Sequence, residues 1–125
     1  MTPKSGNSNK LDQPRAGMEE RMKRIIDGKR YDTETAENVA DIGSRPGTSM
    51  TDHGYWDAVL YRTPRGRWFL AGRGGPASMF ARSVGNGGSE AGAGIISISE
   101  SQAQSFLEGA GDMESLERWF TIEDA

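Results

Sequence analysis

The clearest pattern of apolar and polar positions lies in the middle of the chain, where two aromatic-rich segments flank the turn Thr63–Gly66. Pro64 suits the second position of a tight turn, and Gly66 suits its exit. Two apolar segments joined by a short turn of this kind are typical of a β-hairpin. The pattern therefore predicts an antiparallel hairpin over Trp56–Gly72, at the centre of the fold.

The segment before this hairpin predicts a smaller hairpin and a helix. Lys23–Tyr31 indicates two short strands joined by a turn at Gly28. Asp32 or Thr33 can cap a following helix, because their side-chain oxygens accept hydrogen bonds from unpaired N–H groups of a first turn. We therefore expect a helix over Glu34–Ile42.

The segment after the central hairpin predicts a strand and two helices. Ile95–Ile98 is a short apolar strand, and Ser99 with Gln102 has the form of a capping box that opens a helix to about Gly109. Asp112 caps a last helix, whose apolar side we expect to pack on the sheet. The residues of that apolar stripe are Met113, Leu116, Trp119 and Phe120.

This order of elements predicts an α+β fold: a small antiparallel sheet built around the central β-hairpin, with helices packed on one face. Residues 1–21 are polar and are expected to form a disordered or weakly helical N-terminal extension, and residues 22–125 to form a single domain. Glycine and small polar residues dominate Gly43–Gly54 and Ser83–Gly94, which are predicted as loops, the second of them mobile.

The composition of the chain indicates in which cellular compartment the protein works and which kinds of site it lacks. The chain has no cysteine, which excludes disulfides and thiolate sites and favours a reducing cytoplasm. No stretch approaches the roughly 18 apolar residues of a membrane span, and the polar N-terminal segment lacks the apolar core of a signal peptide. We therefore expect a cytoplasmic protein with no membrane partner.

No catalytic, metal or cofactor motif is recognisable. His53 is the only histidine, and as a general base it would need a partner such as Asp52 or Asp57. A surface histidine in a loop is the favoured interpretation. The segment Gly72–Pro76 lacks the Gly-Lys-Ser/Thr ending of a phosphate-binding loop, and a structural turn is preferred there. We therefore predict no enzymatic activity, no metal and no cofactor.

Charge is segregated along the sequence, although the net charge is only −3. Arg62–Arg82 contains five arginines and no acid, whereas Glu90–Ala125 contains eight acids against the single Arg118. Segregation of this kind can produce one acidic and one basic surface, which would steer charged partners.

Two binding hypotheses follow from these charges. Cations interleaved with aromatic rings are typical of RNA-binding or single-strand-binding surfaces, although rings that alternate within strands should mostly point into the core. The candidate nucleic-acid-binding residues are Arg62, Arg65, Arg67 and Arg73.

Alternatively, acidic helices can imitate the phosphates of DNA and occupy the basic channel of a nucleic-acid enzyme. The candidate partner-binding acids are Glu100, Glu108, Asp112, Glu114 and Glu117. Solvated helix faces and ordinary solubilising arginines are the competing interpretations.

Four segments together resemble a family of small bacterial accessory proteins carried on phages, plasmids and other mobile elements. They are Met22–Ala36, Leu60–Leu70, Gly74–Pro76 and Ile122–Ala125. The N-terminal extension and the glycine-rich Asn86–Gly94 depart from this pattern, and the resemblance carries no catalytic residue.

Among proteins of mobile elements, inhibitors of host defence, including anti-CRISPR proteins, are common. Together with the segregated charge and the lack of a recognisable catalytic or metal motif, the resemblance implies a non-enzymatic protein that binds a host protein complex, most concretely an inhibitor of a CRISPR effector. The alternative is a small nucleic-acid-binding protein that uses the arginines of the hairpin. A hydrolase or nuclease with dispersed carboxylates has no motif to support it.

Overall fold

The computed structural model describes residues 21–43 and 53–125, which form an α+β fold as predicted. The strands are β1 (Lys23–Ile26), β2 (Lys29–Asp32), β3 (Glu37–Gly43), β4 (Trp56–Arg62), β5 (Trp68–Gly74), β6 (Arg82–Ser83), β7 (Ser89–Glu90) and β8 (Gly92–Ile98). The helices are α1 (Glu100–Ala110) and α2 (Met113–Trp119). Predictions for residues 1–20, and for most of the loop Gly43–Gly54, lie outside the described residues.

The centre of the fold is an antiparallel sheet of four strands in the order β3-β4-β5-β8. Strands β4 and β5 form the predicted hairpin, in which Arg62 pairs with Trp68 and the turn lies between them. The Gly66 amide donates to the Thr63 carbonyl at 2.9 Å, and Gly66 has a φ of 86° that favours glycine. The turn predicted at Thr63–Gly66 therefore joins the two strands of the hairpin.

The predicted helix over Glu34–Ile42 is wrong, because most of this segment is strand β3. Asp32 does accept a hydrogen bond from the Glu34 amide at 2.9 Å, but only a single turn follows. Ala40 and Ile42 alternate with the exposed Asp41, which is the two-residue period of a strand. Pairing with β4, with a bulge between positions 38 and 40, overrides the local capping signal.

The sheet is covered by a different layer on each face. Trp68 and Phe69 are consecutive in β5 and point to opposite faces. Trp68 stacks on Phe120 with ring centres 5.4 Å apart and meets Trp119 edge-on at 6.2 Å. Phe69 instead meets Tyr31 of β2 at 5.5 Å. The helices therefore pack on one face, as predicted, and the β1–β2 hairpin packs on the other.

The helix boundaries follow the predicted caps. The Ser99 hydroxyl accepts from the Gln102 amide at 3.1 Å, and the Gln102 side chain accepts from the Ser99 amide at 2.8 Å. Asp112 accepts from the Ser115 amide at 3.1 Å at the start of α2. Met113 departs from the predicted apolar stripe, because it is 68% exposed. Neither of the two described helices is long and apolar enough to cross a membrane.

The glycine-rich segment predicted as a mobile loop contains two short strands and the start of β8. Strands β6 and β7 pair with each other, and β8 begins at Gly92. A Cβ atom on Gly92 would collide with the carbonyl oxygen of Phe80. A Cβ atom on Gly72 would collide with the carbonyl oxygen of Asp57. These two glycines therefore allow close packing of backbone, which sequence alone does not distinguish from flexibility.

Trp119→Ala is expected to lower the free energy of unfolding by about 3 kcal/mol, because the ring packs on Trp68 and covers the sheet. Met113→Ala on the same helix is the matched control, since its exposed side chain should contribute at most about 0.5 kcal/mol. Urea unfolding of both variants measures the difference. Equal losses would contradict the packing of α2 through Trp119.

Candidate functional site

The two layers covering the sheet have different charge. Helices α1 and α2 carry four acids, with Asp112 between them, against one cation, Arg118, whose guanidinium pairs with Glu37 of β3 at 3.2 Å. The β1–β2 hairpin carries four cations against two acids, and one of these acids, Asp32, is buried. The charge segregation along the sequence therefore becomes a separation in space, across the two faces of the sheet.

Two turns that are distant in sequence lie side by side at one end of the hairpin layer. The β1–β2 turn and the β4–β5 turn together line an open depression of about 490 Å³. Four cations line this depression, and we call them the tip cluster: Lys29, Arg30, Arg65 and Arg67. All four side chains are exposed, and no carboxylate is among the described residues that line the depression.

Buried residues beneath the tip cluster hold the two turns in place. Asp27 and Gly28 both have positive φ, 51° and 76°, which suits the tight turn between β1 and β2. Tyr31 is buried against the sheet, which anchors the end of that hairpin. In the other turn, the buried Thr63 hydroxyl accepts from the Arg67 amide at 3.0 Å. The cations are thus mounted on two turns of defined geometry.

Of the two acids in the hairpin layer, Asp27 is exposed in the β1–β2 turn beside the tip cluster, and Asp32 is already paired. Asp32 accepts a hydrogen bond from the Arg21 guanidinium at 2.9 Å and another from the Glu34 amide at 2.9 Å. The hydrogen bond from Arg21 lowers the pKa of the Asp32 carboxyl, against the opposing effect of burial. Asp32 therefore stays ionised and paired, so that within this hairpin only Asp27 can offset the four positive charges of the tip cluster.

The four arginines proposed from the sequence do not form one group. Arg65 and Arg67 belong to the tip cluster, whereas Arg73 lies at the other end of β5. Arg62 faces the helix layer, where its guanidinium lies 4.6 Å from the Trp119 ring centre. Its Nε atom is buried with no hydrogen-bond partner among the described residues. Arg62 therefore has a packing role.

Sequence reasoning missed the two cations of the β1–β2 turn. Lys29 and Arg30 lie more than thirty positions before Arg65, and no local pattern connects the two turns. The only signal in the sequence was the predicted turn at Gly28, flanked by basic residues. The connection comes from the packing of Tyr31 on the sheet, which a single sequence does not reveal.

The aromatic residues between the arginines point inward, as expected from strand alternation. Tyr61, Trp68 and Phe69 are respectively 7%, 3% and 0% exposed. These three rings are therefore not available to stack on bases. The exposed charged residues of the β4–β5 turn are Arg65 and Arg67.

The candidate acids lie on or between the two helices but have different roles. Asp112 accepts hydrogen bonds from the Ser115 amide and hydroxyl, so its carboxylate stabilises the first turn of α2. Four acids are exposed: Glu100, Glu108, Glu114 and Glu117. They supply the negative charge of the helix layer.

The remaining candidates for chemistry are His53 and a metal site. His53 is exposed, as predicted. Within residues 21–43 and 53–125, no three carboxylate or imidazole groups lie together in a way that could hold a metal ion. Comparisons of the chain with protein-family models, with curated proteins and with solved structures found no match.

The pKa of Asp32 predicts a specific acid sensitivity. Because the pKa is lowered in the folded protein, the stabilising contribution is complete above the usual aspartate pKa of about 3.9 and is lost as the pH falls through the folded value. Asp32→Asn should lower stability at neutral pH and flatten this part of the pH profile. Urea unfolding between about pH 7 and about pH 3 measures both effects.

The control for this prediction is Glu34→Gln. Glu34 also pairs with Arg21, at 3.1 Å, but its side chain is exposed. Its replacement should therefore change stability much less than Asp32→Asn. An unchanged pH profile in Asp32→Asn would contradict the role assigned to this carboxylate.

Proposed function

We propose that the protein binds the phosphate backbone of nucleic acid through the tip cluster. The supporting observation is that four exposed cations from two separate turns line one depression with no carboxylate among its described lining residues. The guanidinium group donates two parallel hydrogen bonds to a phosphate, and lysine adds a compact positive charge. Two turns projecting together give these groups access to a polyanion.

The burial of the neighbouring rings limits the kind of contact. Recognition of unstacked bases needs exposed aromatic platforms, and Tyr61, Trp68 and Phe69 are all buried. Contacts from the tip cluster would therefore be made to phosphates, which carry no sequence information. The proposed binding is independent of sequence and strongly dependent on salt.

The opposite charge of the two layers supports a defined orientation on a polyanion. The exposed carboxylates of α1 and α2 lie across the sheet from the β1–β2 hairpin. A nucleic acid would repel the helix layer and attract the turns, so that the molecule approaches with the tip cluster forward.

Binding to a labelled oligonucleotide should weaken steeply with salt. If the tip cluster makes four phosphate contacts, log affinity should fall by about 3 for each log unit of salt. The double variant Arg65→Ala/Arg67→Ala should reduce this slope by about half, because two contacts are lost. Fluorescence anisotropy over a salt series, with single-stranded and double-stranded oligonucleotides of several sequences, measures the slope and tests sequence independence.

Arg118→Ala is the matched control, because it removes an arginine from the helix layer instead. It should leave both the affinity and its salt slope nearly unchanged. The proposal fails if the wild-type protein binds neither form of nucleic acid at low salt, or if Arg118→Ala weakens binding as much as the double variant does.

A second candidate function uses the helix layer. It is the inhibition of a host defence complex, such as a CRISPR effector, to which the mobile-element resemblance points. The supporting observation is that four exposed glutamates share this layer, while its cation Arg118 is paired with Glu37. Such a surface has the charge needed to compete with nucleic acid for a basic channel in a host protein.

The inhibitor hypothesis predicts that expression of the protein restores phage infection in a strain with an active CRISPR system. Replacing the exposed glutamates of α1 and α2 by glutamine should abolish this effect. The variant is Glu100→Gln/Glu108→Gln/Glu114→Gln/Glu117→Gln. Plaque counts in strains with defined CRISPR types are the measurement.

The tip variant Arg65→Ala/Arg67→Ala is the control for this assay and should remain inhibitory. Unchanged interference in every CRISPR type tested would count against the second candidate. Loss of inhibition in the tip variant alone would instead favour a role for nucleic-acid binding.

A further inference from the structure

The outer edge of β8 presents backbone groups that are not used by the sheet. Within the described part of the chain, β8 pairs only with β5 and is an edge of the four-stranded sheet. The Ile95 carbonyl on this outer edge accepts a hydrogen bond from the Arg24 guanidinium at 2.7 Å. Because backbone groups of alternate residues point to the same side of a strand, those of Ala93 and Ser97 also point outward.

An open groove of about 730 Å³ runs beside this edge, and its two sides differ in chemistry. Arg73 lies on the hairpin face of the sheet, since it shares the strand phase of Phe69. Phe80 lies on the helix face, where its ring centre is 6.2 Å from that of Trp56. Met79, 45% exposed, adds to this apolar side.

The positive charge of the groove comes from two arginines that have no ion-pair partner among the described residues, Arg24 and Arg73. Arg24 instead donates to the neutral Ile95 carbonyl. Arg82 also lines the groove but pairs with Glu90 of β7. The groove therefore offers two guanidinium groups to an acidic occupant.

We propose that the β8 edge binds an extended acidic segment of a partner protein, which adds to the sheet as a fifth strand. Side chains of an added strand alternate between the two faces. Acidic residues would therefore point to Arg24 and Arg73, and aliphatic residues would point to the side where Met79 is exposed and Phe80 is buried. Arg24 is close to Arg30 of the tip cluster, whereas Arg73 lies at the far end of β5 from Arg67. The proposal does not depend on nucleic-acid binding.

Arg24 closes the edge in the free protein. A charged side chain on a strand edge opposes unwanted pairing, and here it occupies a carbonyl that an added strand needs. An acidic segment can displace this contact. Its carboxylate would accept the hydrogen bond of the Arg24 guanidinium, and its backbone N–H would donate to the Ile95 carbonyl. The exchange replaces a hydrogen bond to a neutral oxygen with a stronger one to an anion. Neutral or basic segments gain no such exchange.

The test is the binding of a fluorescent peptide of alternating glutamate and valine to the full chain, followed by anisotropy. A peptide of alternating lysine and valine is the charge control and should not bind. Ala93→Pro removes an outward N–H and should weaken binding about tenfold or more, whereas Ala93→Val keeps the N–H and should bind like the wild type. Arg73→Ala should also weaken binding, and Arg65→Ala/Arg67→Ala should not.

A glutamate–valine peptide methylated on alternate backbone nitrogens tests the same hydrogen bonds without changing the protein, should Ala93→Pro fail to fold. The methylated peptide is expected to lose binding. The proposal is overturned if the lysine and glutamate peptides bind equally, or if neither methylation nor Ala93→Pro weakens binding. It is also overturned if sedimentation shows a dimer that Ala93→Pro dissociates, because the occupant of the edge would then be a second copy.

Discussion

The rest of the structure depends on the burial of β5 on both faces. Its first four residues, from Trp68 to Ala71, are at most 3% exposed. A strand buried on both faces requires a covering layer on each side. Helices α1 and α2 cover Trp68 and Leu70, and the β1–β2 hairpin covers Phe69. Strands β1 and β2 have only four residues each, so this hairpin depends on the sheet for its stability.

The same arrangement determines where the charges lie. Each covering layer has one side on the sheet and one side in solvent, and the polar residues of each layer collect on the solvent side. Because α1 and α2 are rich in glutamate and the turns of the other layer are rich in lysine and arginine, the two solvent surfaces have opposite sign. The proposed functions follow from this separation, since each surface attracts a partner that the other repels.

The elements predicted correctly from sequence are those determined by local chemistry. The central hairpin depends on the turn Thr63–Gly66, and the two helices begin at caps formed by Ser99 and Asp112. Strand β3 was predicted wrongly as a helix because Asp32 forms a genuine cap for one turn, after which pairing with β4 determines the conformation. That pairing joins segments separated by the loop before β4, and local pattern carries little information about it.

In the candidate site as well, local sequence predicted some residues and tertiary packing determined the others. Arg65 and Arg67 were recognised because they lie in the predicted turn, whereas Lys29 and Arg30 join them only through tertiary packing. Arg62 was grouped with them by sequence proximity. Its position in β4 instead places it on the helix face, over the ring of Trp119.

The tip cluster and the β8 groove lie towards opposite ends of β5. Arg67 immediately precedes this strand and Arg73 is near its end, so the two arginines are about 20 Å apart along an extended backbone. A separation of this size exceeds the Debye length of about 8 Å at physiological salt, so the charge of Arg67 acts only weakly at Arg73. Arg24 of the groove is closer, because its register partner Tyr31 adjoins Arg30 of the tip cluster. A polyanion on the turns and an acidic segment on the β8 edge would therefore compete for the charge of Arg24 but not for that of Arg73.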